Sequence, residues 1–445
     1  MRLLPLLALV PLSCAAIARS SVSLLKAVAD LTDELQNDKA SDESFWVEWA
    51  RVQGRSICFV LPKGDGEDDA PNIMDALNRQ CRKNSLVVFP GPTYTIKTNM
   101  TTTDMDDVRI HQFGRFVWST DIDYWLSVSM PIGFQNQSTV WYFGGDKITW
   151  DGHGVGTLDG NGQAWYDYAK GRSNLAHRPM MINWRKMSNS VVRRMRFVQS
   201  QMWTMVTTYS KNLEFTDIYV NNTSASKWNT LNTDGIDTIY SDGITLRQWD
   251  ITCGDDAIAL KPNSSNIAAY DIIIRGGTGI AIGSMGQYKD RYDYITNFYA
   301  HNITMYSPIH ALYFKTWAGV SHGYPPNGGG GGLGIANNIE IDGVKLEGCR
   351  SNPLHAWQCE NYEGNQGKDC QTSKFKMSNF TAKDIKGWTN EEVIHAGWFQ
   401  CSAAAGGCDN FSVEGFQVSR GKNGKPSDKW HCENMHGNHG FTCTD

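Results

Sequence analysis

From about residue 140 onward, one rhythm of hydrophobic and polar positions keeps returning. Asn or Asp opens it, an alternating run of five to nine residues follows, and polar turn residues close it. "NSVVRRMRFV" at 189, "NLEFTDIYV" at 212 and "DGITLRQWDIT" at 242 are early copies. "DIIIRGGTGI" at 271, "NFYAHNITMY" at 297 and "NIEIDGVKLEG" at 338 continue the series. The first intervals are 23, 30, 29 and 26 residues, and the last is 41. Alternation with period 2 marks strands, and bounding Gly, Asn and Asp mark turns. A β-sandwich would place a strand every 8–12 residues or so. Self-similarity at 20–50 residues instead marks a stacked solenoid. The pattern therefore predicts an all-β fold, a single-stranded right-handed parallel β-helix. A short helix over "GDGEDDAPNIMDALNRQC" at 64–81, with acidic residues and Pro71 at its start, would cap the open first coil.

The start of the chain reads differently. Met1-Arg2, the apolar "LLPLLALVPL" and the small-residue "SCAAIA" form a secretory signal ending at Ala18. The expected organisation is a signal at 1–18 and an extension at 19–55, with a short amphipathic helix over 20–36. A β-helix catalytic domain with a disulfide-rich end fills 56–445. No later apolar run approaches the roughly 20 residues needed to span a bilayer. Cys14 lies in the signal and leaves ten of the 11 cysteines, an even number suited to an oxidising compartment. Cys58/Cys81, Cys401/Cys408 and Cys432/Cys443 are plausible local pairs. Eight N-x-S/T sites begin at Asn99, Asn136, Asn221, Asn222, Asn263, Asn302, Asn379 and Asn410. Net charge is −5, which provides no electrostatic footprint for nucleic acid. The expectation is a secreted, extracellular monomer with neither a nucleic-acid nor a membrane partner.

Within this repeat, Asp234 stands 21 residues before Asp255 and Asp256. A step of about one coil returns the chain to the same face, where stacked strands lie ~4.8 Å apart. Asp234 and Asp256 (or Asp255) then become neighbours. Adjacent residues of an extended strand face opposite ways, so Asp255 and Asp256 can share a cleft only at a bulge or turn, which Gly254 could supply. Clustered carboxylates repel, and at least one should hold its proton tightly. A protonated and an ionised carboxyl together are what cleavage of a glycosidic bond requires. Aspartates in turns are the plain alternative, and "SDG" at 241–243 reads that way.

"NTDGID", then "GDDAIALKPN" and "GGTGIAIGSMG", then "YFKTW" together resemble glycoside hydrolase family 28, the polygalacturonases and their relatives. "GTLDGNGQAWY" at 156–166 and "RP" at 178–179 fit its upstream part, and the likeness covers most of 55–420. The resemblance implies a pectic polysaccharide as substrate, inversion with a carboxyl separation of roughly 6.5–9.5 Å, and neither metal nor cofactor. It points to a fungal exo-acting galacturonan 1,4-alpha-galacturonidase. Asp255 would be the proton donor, with Asp234 and Asp256 holding the attacking water. Asn232 would orient the group and Lys315 would bind a substrate carboxylate.

Two positions depart from the family pattern. Thr278 stands where a His is expected and Tyr313 where an Arg is expected, and both are assigned here to sugar binding. Thr carries no charge, and Tyr is a stacking surface rather than a carboxylate clamp. Rhamnogalacturonan-acting members also depart there. An endo-polygalacturonase, a rhamnogalacturonan hydrolase and a non-catalytic pectin-binding β-helix are therefore the alternatives. A calcium-dependent lyase on a similar solenoid is another class. Ala257 and Ile274 replace two positions often joined as cysteines in the family.

Other features read more plainly. "GHG" at 152–154 is a turn, and "HCENMHGNHG" at 431–440 is a disulfide tail. Arg275, Lys289 and Arg291 cluster in sequence with Lys315, of which only Lys315 is assigned to binding. "TWAGVSHGYPPNGGGGGLGIANN" after Lys315 delays the next strand. It is expected to wall off one end of the groove for exo action, its glycines otherwise forming a floppy spacer.

Overall fold

The computed structural model describes residues 42–360 and 367–444. The expected signal, the expected 20–36 helix and residues 361–366 lie outside those residues. Gly54–Asp445 forms one compact unit, and the chain up to Gln53 forms a separate one. In the latter a helix, Glu43–Val52, has Asp42 as N-cap accepting from the Phe45 amide. Glu43 sits in its first turn and Arg51 in its last, both favourable to the helix dipole.

The main unit is a parallel β-helix. Its long sheet joins strands almost wholly in parallel, each pairing with the strand one coil on. The interior repeats in register. Leu213, Ile244, Ile267, Phe298, Ile339, Phe380 and Phe411 form one stacked column. Each is at most 2% exposed. Burial of such side chains contributes ~1.5–3 kcal/mol each.

The recurring Asn at the head of each repeat has a structural cause. Asn189, Asn212, Asn266, Asn297, Asn338, Asn379 and Asn410 all take left-handed backbone, φ between 49° and 60°. Apart from Gly, Asn is the residue that tolerates this best. Their amides also stack across coils, Asn297 on Asn266 at 2.9 Å, Asn338 on Asn297 at 3.1 Å and Asn410 on Asn379 at 3.1 Å. Each Asn thus turns its own corner and ties it to the next.

The capping helix begins later than its sequence suggests. It runs Ala70–Asp75 and continues as a π-helical turn, Ala76–Gln80. Asp69 ends the preceding loop because its carboxylate accepts from the Lys63 and Thr95 amides, both at 2.7 Å. Ala70, Ile73, Ala76 and Leu77 join the core.

Cys58–Cys81, Cys401–Cys408 and Cys432–Cys443 are bonded as expected, and Cys359–Cys370 is a further pair. The even count does not become five bonds. Cys253 and Cys349 are buried thiols: Cys253 donates to the Asp255 carbonyl of its own corner, and Cys349 to the Ser351 carbonyl of its own corner and the Ile309 carbonyl of the preceding coil. Ala257 and Ile274 lie in the core at 0% exposure. Residues 152–154 do form a turn, with His153 at φ 52°.

Candidate active site

One face of the coil carries Met205–Thr208, Ile236–Ile239, Asp256–Leu260, Gly279–Met285 and Leu312–Trp317 in successive register. Asp234 precedes the second of these strands and Asp256 opens the third. The Gly235 amide donates to the Asp256 carbonyl at 2.9 Å, so the two coils meet there. Gly254 and Asp255 form the corner between Asp242–Cys253 and Asp256–Leu260. That corner, with a register slip just after Asp256, lets consecutive carboxylates face one hollow. Gly254 is required for closeness rather than torsion. A Cβ there would meet Thr230 Oγ1 at 2.1 Å and the Thr230 carbonyl oxygen at 2.4 Å.

Asp234, Asp255 and Asp256 each offer an oxygen within 4.8 Å of the others. This corrects the expected separation of roughly 6.5–9.5 Å: stacked parallel coils bring the carboxyls closer than that, so spacing does not identify the stereochemistry. Asn232, at φ 59°, donates to Asp255 Oδ2 through its amide (3.1 Å) and side chain (3.3 Å). Asp255 Oδ1 accepts from the Asp256 amide at 3.1 Å. Thr278 and Tyr313 both donate to Asp256 Oδ1, and Lys315 Nζ lies 3.9 Å from Oδ2. The two substituted positions thus turn their hydroxyls onto Asp256. Asp234 Oδ1 is buried with no hydrogen-bond partner among the described residues.

Sequence reading missed a fourth carboxyl. Asp237 is fully buried and pairs with Lys261 Nζ at 3.2 Å. Asp237 and Lys261 stand inside the quoted motifs. No local signal marks them, because Asp237 lies three residues from Asp234 and Lys261 five from Asp256, out of phase with a period-2 reading. Burial raises the Asp237 carboxyl to about 7 against the opposing charge of Lys261. Burial also raises Asp234 well above the usual range, helped by the charges of Asp237, Asp255 and Asp256. Asp255 is raised by burial and then by Asp256, with Lys315 and the Asn232 amide opposing. Buried Arg178 donates to the carbonyls of Gln201 and Leu231 and braces the floor.

Asn232, Asp234, Asp255, Asp256, Lys261 and Lys315 line a hollow of about 200 Å³ with Gln135, Ser173, Asn174 and Trp203. Gln135 and Asn174 arrive from earlier coils. Gln135 Nε2 donates to Gln287 Oε1 at 2.5 Å, and its amide donates to the Tyr288 hydroxyl at 2.7 Å. Asn174 Nδ2 donates to Asn327 Oδ1 at 3.2 Å and its amide to Asn232 Oδ1 at 2.8 Å. The glycine-rich loop is part of this brace and is not a floppy spacer. Gln287 donates to the carbonyls of Pro326 and Gly328, and Gly330 and Gly332 donate back to Gln287 and Gly286. Gly329, Gly330 and Gly331 have φ between 133° and 143°, and a Cβ on any would meet other backbone within 3.0 Å. Of the other basic residues, Arg275 pairs with Asp250, and Arg291 lies over Tyr240 and Tyr288. A larger hollow of about 460 Å³ beside Phe416 and Trp430 has Asp428 as its single acid.

The model of glycosyl hydrolases family 28 matches residues 127–443. This chain belongs to that family. It is a pectin-degrading glycoside hydrolase, which removes the lyase and the non-catalytic readings. It is 42% identical to alpha-L-rhamnosidase rgxB of Aspergillus niger over 88% of this chain and 90% of that one. It is 33% identical to an exopolygalacturonase of Cochliobolus carbonum over 81% of this chain and 80% of that one. The endo-xylogalacturonan hydrolase of Aspergillus tubingensis shares the fold at TM-score 0.76 and 23% identity, over 87% of this chain and 99% of that one. Among the described residues no helix is long and apolar enough to cross a membrane.

Proposed function

We propose that this family 28 hydrolase is secreted, acts as a monomer, and removes one sugar at a time from the non-reducing end of a pectic chain. The carrying observation is the wall. Gln135, Ser173 and Asn174 line a hollow of about 200 Å³ and are tied to later coils through Gln287 and Asn327, and on this reading they stop a chain from running through. Asp255 donates its proton to the leaving oxygen, as its raised affinity for a proton suits. Asp256 and the free oxygen of Asp234 hold the attacking water, giving inversion as the family resemblance implies.

The charge count supports a neutral terminal sugar, a 6-deoxyhexose such as rhamnose. Lys261 Nζ lies 3.2 Å from Asp237 and Lys315 Nζ 3.9 Å from Asp256, so each ammonium in the hollow already faces a carboxyl of the protein. Tyr313 in place of an Arg removes the surplus charge. The rhamnosidase named above fits this reading. Terminal galacturonate, the expectation from sequence, is the second reading. Lys315 within the hollow and the exopolygalacturonase relative favour it.

Oligomers ending in rhamnose or in galacturonate, followed by product analysis and proton NMR, test all three elements. Monomer from the first minutes, faster release of rhamnose, and inverted anomer first are expected. Early dimers and trimers overturn exo action. Preferred release of galacturonate installs the second reading, and initial retention of configuration removes the water-holding role.

A further inference from the structure

We propose that Lys261 is a positioning residue for the proton transfer. It is an ammonium fixed in the lining of the hollow, and its charge governs when the neighbouring carboxyls hold or release protons. It does this without gripping the sugar. The proposal rests on the reading of Asp255 as the proton donor.

The fold fixes Lys261 from several sides. Its amide, just past Asp256–Leu260, donates to the Thr238 carbonyl at 2.9 Å and so stacks it on the Ile236–Ile239 strand. Its Nζ lies 3.2 Å from Asp237 Oδ1 and donates to the Gly283 carbonyl of the next coil at 3.5 Å. The same atom sits over the Trp203 ring, 4.6 Å from its centroid. An ammonium has three donors. An acid, a carbonyl and a ring face occupy them here. The Lys261 side chain is 3% exposed, against 15% for Lys315, so Lys315 is the lysine with room for a ligand.

What Lys261 contributes is its field, which water screens little at such depth. Burial raises Asp234 and Asp255, and Lys261 opposes that rise in both. Burial would lower Lys261 itself, but the charges of Asp237, Asp234 and Asp256 outweigh it and keep the ammonium charged. Two further cations face the cluster: Lys315 acts on Asp255, and Arg178 on Asp234 and Asp255. Burial holds the Tyr313 and Cys253 protons in place and lowers His310 to about 4, so these three stay neutral above that value. The carboxyls therefore titrate as one set under three cations, of which Lys261 is tied wholly to the protein.

The pH dependence of kcat on the pectic oligomer that the wild-type enzyme cleaves fastest tests this. Lys261→Gln keeps a donor for Asp237 and Gly283 but loses the charge, whereas Lys261→Arg keeps the charge. In Lys261→Gln both limbs of the profile should move about one unit to higher pH, because carboxyls without the cation hold protons more tightly. Lys261→Arg should leave both limbs near their wild-type positions. KM should change less than about three-fold in either variant. Limb positions do not depend on how much of the protein is folded, so a lowered yield leaves the reading intact. Limbs unmoved in Lys261→Gln, or moved as far in Lys261→Arg, overturn the proposal. A raised KM with unmoved limbs also overturns it and makes Lys261 a binding residue. Unmoved limbs beside an inactive Asp255→Asn sink the role of Lys261 alone. An active Asp255→Asn sinks the donor assignment, and this proposal with it.

Discussion

Two buried carboxylate clusters lie on this coil, and they treat the same side chain in opposite ways. In the first, Asp151 is fully buried and held by Arg193 Nε at 2.8 Å and by Arg194 Nε at 2.8 Å, with His153 beside it. Burial pushes its carboxyl up, but the Arg194 hydrogen bond and the charges of His153, Arg193 and Arg194 outweigh it and bring it to about 2. In the second, four carboxyls face two ammoniums, and three are raised. Burial is common to both; the count of cations decides the sign. The first cluster stores stability, with His153 also bonded to His111 at 2.9 Å. The second gives up stability and keeps a proton ready to transfer.

The largest effect should come from the second cluster's chemistry. Asp255→Asn keeps the shape but has no proton to donate, so turnover should fall about 10²–10⁴-fold with the thermal midpoint near wild type. Initial rates on rhamnose-terminated oligomers measure this. Retention of more than a tenth of the activity would place the donor elsewhere.

In the first cluster, Asp151→Asn leaves two guanidiniums facing a neutral amide and should cost ~3–5 kcal/mol in urea unfolding at pH 7. The wild-type contribution is present above the unfolded value of 3.8 and is lost as pH falls toward 2. The mutant's deficit should therefore shrink across that window. A constant deficit would mean that packing, and not charge, is responsible.

The smallest effect runs the other way. The folded state keeps a proton on Asp234 that the unfolded chain releases above 3.8, so stability is lost as pH rises from there. Asp234→Asn should gain ~1–2 kcal/mol at pH 7 and nothing near pH 3, while losing activity. Destabilisation at pH 7 would show that the cluster's repulsion is already relieved by Lys261.

The repeat, the corner Asn residues, three of the disulfides and the motif carboxyls were legible in the chain, because each is local: alternation, turn preference and short cysteine spacing act over a few residues. Asp237 was not, since nothing local distinguishes it from a turn aspartate until Lys261 stacks above it. Cys253 and Cys349 were not, since parity counts thiols and says nothing of their distance. The helix Glu43–Val52 escaped notice although Asp42 caps it, because its pattern is short and unaccompanied.

By itself the sequence determined that the chain coils, which face each strand buries, and that Asp234 returns beside Asp255 and Asp256, all consequences of period and turn chemistry. Only the tertiary structure decided what those carboxyls do. Two hydroxyls expected on the sugar point at Asp256, residues some 150 apart in sequence close the wall between Gln135 and Gln287, and cations are shared out among buried acids. The physical reason is range. Turn and strand preferences act between near neighbours in the chain, whereas desolvation and Coulomb energy depend on what packs close in space.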